Sequence, residues 1–450
     1  MEETRVDVAA IKDGSMTFMR YVVVVLCVLI GAVDGYDTLA AAYAAPVMRV
    51  ALGIAPALLG WVFSIALIGG MFGMLVGGPL ADRVGRRPVL IAQVVIFAIF
   101  TYLSGRAAGS SELLAYRFAA GFGLGLGITL AYTMVSEFVP TRLRVFAIAM
   151  VTIGYSAGAG AGGILASWLI AAYGWRSIFY TGAALAAILA LLLIVAMPES
   201  FEFLLSSGAP EQRIRKALRR IRPDMFVNHQ HIRFIAATSP ERKGTVRELF
   251  SGDRIAQTLL LWIIFFMNLL ELFSIQQWLP TIIHETGIGV QSSVSAGAVL
   301  QTGAIVGALA YSRIIDRWGK PFPLFMVLFA VGGLSFVSLG LARGSMIWAM
   351  ASILALGLCV LGGQIALNGV ATIIYPPAIR ATGIAWAVSI GRLGGALGPI
   401  ISGVLLQNRF QPHEILFLGA VPAFIAFAAS YLLASNLKTK RREASPAVAR

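Results

Sequence analysis

The chain has 450 residues, of which 58% are hydrophobic and 12% are charged. A soluble domain of this size cannot cover so much apolar surface with polar atoms, so the composition excludes a soluble protein. The formal net charge of +14 at pH 7 would by itself suit a partner such as nucleic acid.

Long apolar segments recur along nearly the whole chain. A bilayer core about 30 Å thick requires roughly 20 apolar residues for each helical crossing. The sequence therefore predicts an all-α membrane protein with twelve transmembrane helices. They are expected at residues 20–46, 57–80, 88–105, 112–136, 146–172, 178–198, 258–283, 293–315, 322–341, 345–372, 381–406 and 414–435.

The basic residues indicate the orientation of these helices. If both termini and the even-numbered connections face the cytoplasm, that side receives most of the 35 Lys and Arg residues. The opposite side receives Arg49, Arg106, Arg176, Arg343 and Arg409. This bias is the positive-inside pattern, so the charge reports topology and argues against a nucleic-acid partner. We expect a multi-pass protein of the bacterial inner membrane with both termini in the cytoplasm.

One long polar connection divides the predicted helices into two groups of six. The predicted order is a cytoplasmic tail at 1–19, a bundle at 20–198, a cytoplasmic loop at 199–255, a second bundle at 256–435 and a cytoplasmic tail at 436–450. The arginines between Arg213 and Arg222 predict an amphipathic helix in the loop, lying on anionic membrane lipids. A regulatory partner site on the loop is the alternative.

The two halves resemble each other. The segment DRVGR at 82–86 follows the second span, and DRWGK at 316–320 follows the eighth. PTRLR at 140–144 and PPAIR at 376–380 follow the fourth and tenth spans at nearly the same offset. Two features at a common offset indicate duplication of a six-helix unit. Such repeats place a substrate near the midplane between the halves, and rocking of one half against the other gives alternating access.

The segment GGPLADRVGRRP at 77–88 resembles the loop between helices two and three of the major facilitator superfamily. The resemblance implies a fold of two six-helix bundles with a charged latch at the cytoplasmic side. Gly77 and Gly78 would allow close helix approach, and Asp82 would pair with arginines. Topology alone would explain the arginines but not Asp82. The predicted gating residues are Gly78, Asp82, Arg83, Arg86, Glu137, Arg144, Asp316, Arg317 and Arg380.

Within that superfamily, AVDGYDTLAAAYAAP at 32–46 resembles the first helix of the aromatic acid:proton symporters, which is marked by D-G-x-D. The resemblance continues through YRFAAGFGLGLG (116–127), SEFVPTRLR (136–144) and AIRATGIAWAVSIGRLGGALGP (378–399). It implies uptake of an aromatic carboxylate together with protons. Glu271 in the seventh span departs from this pattern.

Five ionisable side chains lie well inside predicted spans, namely Asp34, Asp37, Arg117, Glu271 and Arg392. Each costs roughly 2.5–3.5 kcal/mol to insert at a helix centre, so each is a functional hypothesis by default. Asp34 and Asp37 are three residues apart and are expected to project from similar faces of one helix. We predict that they couple protons, with Glu271 as a third candidate. The alternatives for the aspartates are a purely structural pair with Arg117 and a position too near the outer surface.

An organic anion requires a cationic partner. Arg117 and Arg392 are the predicted anchors, because a guanidinium binds a carboxylate through two parallel hydrogen bonds and stays charged when desolvated. Pairing of either arginine with a protein carboxylate is the alternative. The other predicted substrate contacts are Gln364 and Asn368, which share a face of the tenth span, and the aromatic residues Tyr36, Trp278 and Trp386. For the aromatic residues, plain packing is the alternative.

These observations predict a secondary active transporter that takes up a benzoate-like or hydroxybenzoate-like carboxylate by proton symport. The proton gradient would drive it, so no cofactor or metal is expected, and the chain would act as a monomer in contact with lipids. The alternatives are proton-coupled transport of another small organic acid, such as a dicarboxylate or sugar acid, and a membrane sensor with a transporter fold. An enzyme is not expected, since no nucleophile–base set or metal-ligand spacing occurs.

Overall fold

The structure is a computed structural model, and it describes residues 4–7, 14–221, 232–235, 246–251, 254–285, 290–318, 321–342, 345–375 and 377–444. Within these ranges, 12 helices are long and apolar enough to cross a membrane. The predicted number of spans and the helical class of the protein are therefore confirmed.

Six of these helices precede the long polar connection. They are α1 (Phe18–Ala51), α2 (Pro56–Val84), α3 (Arg86–Arg106), α4 (Ser110–Phe138), α5 (Arg144–Tyr173) and α6 (Arg176–Ala196), with a 3₁₀ turn at Thr141–Leu143 before α5. Most extend a few residues beyond the predicted apolar spans. The backbone hydrogen bonds of a helix do not require apolar side chains, so polar residues continue it past the apolar stretch.

The polar connection has some regular structure of its own. It contains α7 (Phe201–Ser206), α8 (Glu211–Ile221) and α9 (Val246–Leu249). A short strand near the N-terminus, β1 (Thr4–Asp7), pairs in parallel with β2 (Ile232–Ile235). The all-α prediction for the membrane part of the chain is unaffected by this pair.

Five of the six later spans are continuous helices, and one is interrupted. The continuous helices are α10 (Arg254–Glu285), α11 (Val290–Trp318), α12 (Pro321–Gly340), α15 (Pro377–Gln407) and α16 (Pro412–Ala444). The tenth span consists of α13 (Met346–Leu356), a π-helical segment (Gly357–Gly362) and α14 (Gly363–Ile374). The sequence predicted one uninterrupted helix there, because a π-helical turn has no distinct pattern of apolar residues. Such turns occur frequently at functional sites.

The chain forms two compact units. The first unit comprises Met1–Ala40, Ile65–Ala159 and Trp175–Pro240, and the second comprises Ala41–Ser64, Gly160–Gly174 and Glu241–Arg450. These boundaries differ from the predicted halves, because parts of α1, α2 and α5 pack within the second unit. The backbone of Gly60 in α2, for example, lies directly against that of Pro399 in α15, and the Tyr43 ring of α1 lies against Gly297 of α11.

Small residues allow close helix contact within the first unit. Gly121 and Gly125 of α4 lie against the backbone of Ala66 and Gly70 in α2, with no space for a Cβ atom at either glycine. This arrangement accounts for the glycine-rich run of α4 as a packing surface between membrane helices.

Helix α8 differs from its predicted lipid-facing placement. Ile214 and Leu218, on its apolar side, are buried in the hydrophobic core of the first unit. Arg213, Lys216 and Arg219 are exposed on its other side. The apolar side of α8 therefore packs on protein instead of entering the membrane surface.

Candidate functional site

A buried ion pair joins the first and fourth membrane helices in the first unit. Arg117 of α4 donates from Nη1 to both carboxylate oxygens of Asp37 in α1, at 2.8 and 3.0 Å. Its Nη2 also donates to the backbone carbonyl of Asp37 at 3.4 Å, and the Thr101 hydroxyl of α3 donates to Oδ1 at 3.4 Å. Asp37 and Arg117 are each 1% exposed. The pairing of one aspartate with Arg117, stated above as an alternative, is thus present in the structure.

The other residues of the D-G-Y-D segment face other neighbours. A Cβ atom at Gly35 would clash with the Tyr155 carbonyl of α5. The Tyr36 hydroxyl donates to the Ile178 carbonyl of α6 at 2.9 Å, and its ring lies against Gly182. The segment therefore places α1 against three other helices, and in this conformation the Tyr36 hydroxyl is engaged in helix packing.

The two aspartates do not share one environment. Asp37 is enclosed by its ion pair, whereas Asp34 is half-buried. Positions three apart differ by about 60° around a helix axis, which is enough to turn one carboxylate towards α4 and leave the other partly accessible. Projection from similar faces of α1 is therefore compatible with one enclosed and one partly accessible carboxylate.

A second group of polar side chains lies between helices of the second unit. Asn268 of α10 donates from Nδ2 to Oε1 of Gln364 in α14 at 2.6 Å. Glu271, one turn along α10, is 1% exposed, and neither of its carboxylate oxygens has a hydrogen-bond partner among the described residues. Arg392 of α15, the second predicted anion anchor, is half-buried. The side chain of Asn368 lies outside the described part of the structure.

The predicted aromatic contacts Trp278 and Trp386 are both engaged with protein groups in the second unit. Trp278 has no exposed surface, stands edge-on to Phe63 with ring centroids 5.3 Å apart, and donates to the Pro399 carbonyl at 2.9 Å. Trp386 is 40% exposed and stacks on Trp262 with ring centroids 5.8 Å apart. Packing, the alternative given for these residues, describes their contacts in this conformation.

A charge network encloses the N-terminus of α3, where gating residues were predicted. Arg86 forms an ion pair with Glu137 of α4. Ser200, which follows α6, donates to Glu137 and accepts from Arg86 Nη1 at 2.6 Å. Glu199 accepts from the backbone N–H groups of Arg86 and Arg87 at 2.9 and 3.1 Å, so its charge faces the positive end of the α3 dipole.

Sequence reasoning did not select Glu199 or Ser200. They belong to the segment MPESFEFLLSSG at 197–208. The available signal was a carboxylate placed directly after a membrane span, at the same membrane face as the basic loop at 82–88. Their contacts with Arg86, Arg87 and Glu137 link positions 63 to 114 residues apart, and no spacing rule indicates such contacts.

The remaining gating predictions have varied surroundings. Asp82 and Arg83 are exposed, and Asp82 lies within electrostatic range of Arg86. Gly78 has open space where a Cβ would stand, whereas a Cβ at Gly77 would clash with the Leu126 backbone. The prediction that Gly78 serves close helix approach is therefore wrong for this conformation, and Gly77 makes that contact.

The other members of that set are placed as follows. Arg144 is half-buried, Arg317 is exposed, and Arg380 is exposed and donates to the Tyr375 carbonyl at 3.3 Å. The side chain of Asp316 lies outside the described residues. Within the described ranges, no group of three or more His, Cys, Asp or Glu side chains could hold a metal ion.

Comparison with known proteins decides the family. Residues 26–399 match the family described as Major Facilitator Superfamily. The chain belongs to the major facilitator superfamily. Its resemblance to the aromatic acid branch is supported by two transporters. The 4-hydroxybenzoate transporter PcaK of Acinetobacter baylyi is 34% identical over 94% of this chain and 93% of its own length. The gallate transporter of Pseudomonas putida is 33% identical over 95% and 94%.

Solved structures agree with this fold. The xylose transporter XylE from E. coli, in a partially occluded inward open conformation, superimposes with a TM-score of 0.71 at 18% identity, covering 92% of this chain and 98% of XylE. At that identity the likeness shows the fold alone. Because relatives along nearly the whole chain are transporters, this superfamily member is a multi-pass membrane transporter and not an enzyme.

Proposed function

We propose that the protein takes up an aromatic carboxylate of the benzoate or hydroxybenzoate type together with protons, by alternating access. The observation that carries this proposal is the buried ion pair between Asp37 and Arg117 in the D-G-Y-D helix. The names of the relatives, which include transporters of 4-hydroxybenzoate, gallate and benzoate, support the choice of substrate class.

The ion pair supplies a physical route from proton to substrate. Arg117 is held by Asp37 through two hydrogen bonds, which is the geometry a guanidinium also offers to a substrate carboxylate. Protonation of Asp37 would remove its charge and release the guanidinium, which would otherwise be buried without an anion. A substrate carboxylate would then restore the charge balance. Each substrate anion bound at Arg117 is therefore linked to one proton on Asp37.

The number of protons determines the driving force. A monoanion carried with one proton is electroneutral and gains nothing from the membrane potential. With two protons the complex carries one net positive charge, and each 100 mV then contributes roughly 2.3 kcal/mol. The candidates for a further proton are Asp34, which is half-buried, and Glu271, which is buried. On this proposal no cofactor is required, the chain acts as a monomer with both termini in the cytoplasm, and Arg392 is a second anion contact.

The experiment is uptake of radiolabelled 4-hydroxybenzoate by proteoliposomes under an imposed pH gradient. We expect accumulation that collapses when a protonophore dissipates the gradient. Arg117→Lys and Arg117→Gln form a matched pair, since lysine retains the charge without the planar fork of donors. Lysine should retain part of the uptake and glutamine none. Absence of accumulation with any aromatic acid, together with uptake of a dicarboxylate or a sugar acid, would refute the proposal in favour of the alternative substrate class.

A further inference from the structure

Glu271 is a buried carboxyl group that the Asp37–Arg117 mechanism does not use. It lies in α10 of the second unit and is 1% exposed. Neither carboxylate oxygen has a hydrogen-bond partner among the described residues, and no described basic residue forms an ion pair with it. A buried carboxylate ion without donors or a counter-charge is strongly disfavoured, whereas the un-ionised acid is tolerated.

One titratable group near Glu271 belongs to the interrupted tenth span. Cys359, in the π-helical segment, lies within electrostatic range of Glu271. The hydroxyl of Tyr311 in α11 lies near the Cys359 thiol. Cys359 is 6% exposed and Tyr311 is half-buried. The interrupted span therefore places a thiol, and no described cation, near Glu271.

Within the described residues, helices α15 and α16, which also pack on α10, provide no counter-charge for Glu271. Helix α15 presents Gly391, Gly394 and Gly398, which lie directly against Phe265, Phe266 and Leu270 of α10. The charged residue of α15 within this stretch is Arg392, and no hydrogen bond or ion pair joins it to Glu271 within the described residues. The described charged residues of α16 are confined to its ends.

The π-helical segment is packed tightly against α11. A Cβ atom at Gly357 would clash with the Leu300 carbonyl, and the Gly362 backbone lies against Gly307. A π-helical turn is rare and occurs frequently at functional sites. The segment that carries Cys359 is thus a distinctive element held close to α11.

We propose that Glu271 is a further proton-binding site of the transport cycle and is un-ionised in this conformation. Its carboxylate binds a proton by forming an O–H bond, and that bond breaks when the site opens and the proton passes to water. This inference rests on the proposed proton symport. In this conformation Asp37 is paired with Arg117, whereas Glu271 has no hydrogen-bond partner among the described residues.

Infrared difference spectroscopy of the purified protein tests the protonation state of Glu271 without substrate. The spectrum of each Glu271 variant is subtracted from that of the wild type. At neutral pH we expect the carbonyl band of an un-ionised carboxylic acid, which disappears in Glu271→Gln and changes frequency in Glu271→Asp. Glutamine replaces one neutral group by another of equal size, so this variant should fold. Should it fail to fold, the frequency change in the aspartate variant still decides the question. A wild-type spectrum without such a band, or a band unchanged in both variants, would overturn the assignment.

Transport provides the second measurement. In proteoliposomes, Glu271→Gln should still exchange labelled for unlabelled substrate, but its pH-driven accumulation should fall about tenfold for each pH unit of imposed gradient, because one coupled proton is lost. Equal accumulation by wild type and Glu271→Gln would contradict the inference. If the wild type transports no aromatic acid, the proposed function fails, while the infrared result still decides the state of Glu271.

Discussion

Replacement of Asp37 by asparagine perturbs the buried ion pair with little change in side-chain size. It removes the negative charge that faces Arg117 at 2.8 and 3.0 Å. Both residues are 1% exposed, so solvent screens the remaining guanidinium charge very little. Removal of one partner of a buried ion pair costs about 3–5 kcal/mol, and the lower bound already reduces the ratio of folded to unfolded protein by a factor of about 100.

We therefore expect Asp37→Asn to insert in the membrane, to lose pH-driven accumulation and to unfold at a markedly lower temperature than the wild type. The double variant D37N/R117Q removes both charges and should recover most of the stability without recovering transport. Thr101→Val is the matched control, because it removes only the 3.4 Å hydrogen bond to Oδ1 and should cost about 1 kcal/mol.

The assay is thermal unfolding of the purified variants in detergent, combined with uptake by proteoliposomes. Wild-type stability of Asp37→Asn would show that the two charges are not a buried pair. A double variant less stable than both single variants would show that they are not each other's partners. Wild-type accumulation by Asp37→Asn would remove this carboxylate from proton coupling altogether.

Four further substitutions test other positions. Asp34→Asn should lower pH-driven accumulation. Its unfolding temperature should stay close to that of the wild type, because Asp34 is only half-buried. Unchanged accumulation would exclude Asp34 from proton coupling. Gly35→Val should prevent folding, because the valine side chain would clash with the α5 backbone. Gly78→Ala is the control and should fold like the wild type, because its Cβ enters open space. A monodisperse Gly35→Val in size-exclusion chromatography would contradict this packing. Glu285→Gln breaks the 2.7 Å ion pair with Arg49. It should lower the free energy of unfolding by about 1 kcal/mol or less, because partly exposed pairs contribute little. A large loss of thermal stability would refute that expectation.

The D-G-Y-D segment shows how far residue types carry a prediction. Charged residues in an apolar helix indicated a functional element, and pairing with Arg117 was one of the alternatives. The segment alone does not indicate that Tyr36 bonds to α6 or that Gly35 meets α5. Those contacts depend on which helices surround α1, and the spacing of residues within α1 carries no information about its neighbours.

The charge network at α3 illustrates the same limit. The arginines were selected because their loop has a recognisable pattern and a second copy. Glu199 was not selected, although it accepts from two backbone N–H groups at the start of α3. Its role depends on the position at which α6 ends relative to α3. That position is a property of the packed bundle and not of the segment that contains Glu199.

By itself, the sequence determined the membrane class, the number of spans and the residue types available for chemistry. It did so because the bilayer acts on each segment locally: every crossing needs its own apolar length and satisfies its own backbone hydrogen bonds. Only the tertiary structure decided which buried carboxyl group has a cation beside it and which has none among the described residues. Asp37 and Glu271 are both acidic residues in apolar helices, but the partner of Asp37 is supplied by α4, whereas the helices around Glu271 supply a thiol and no described counter-charge. The charge state of a buried group depends on its neighbours in space, and these come from distant parts of the chain.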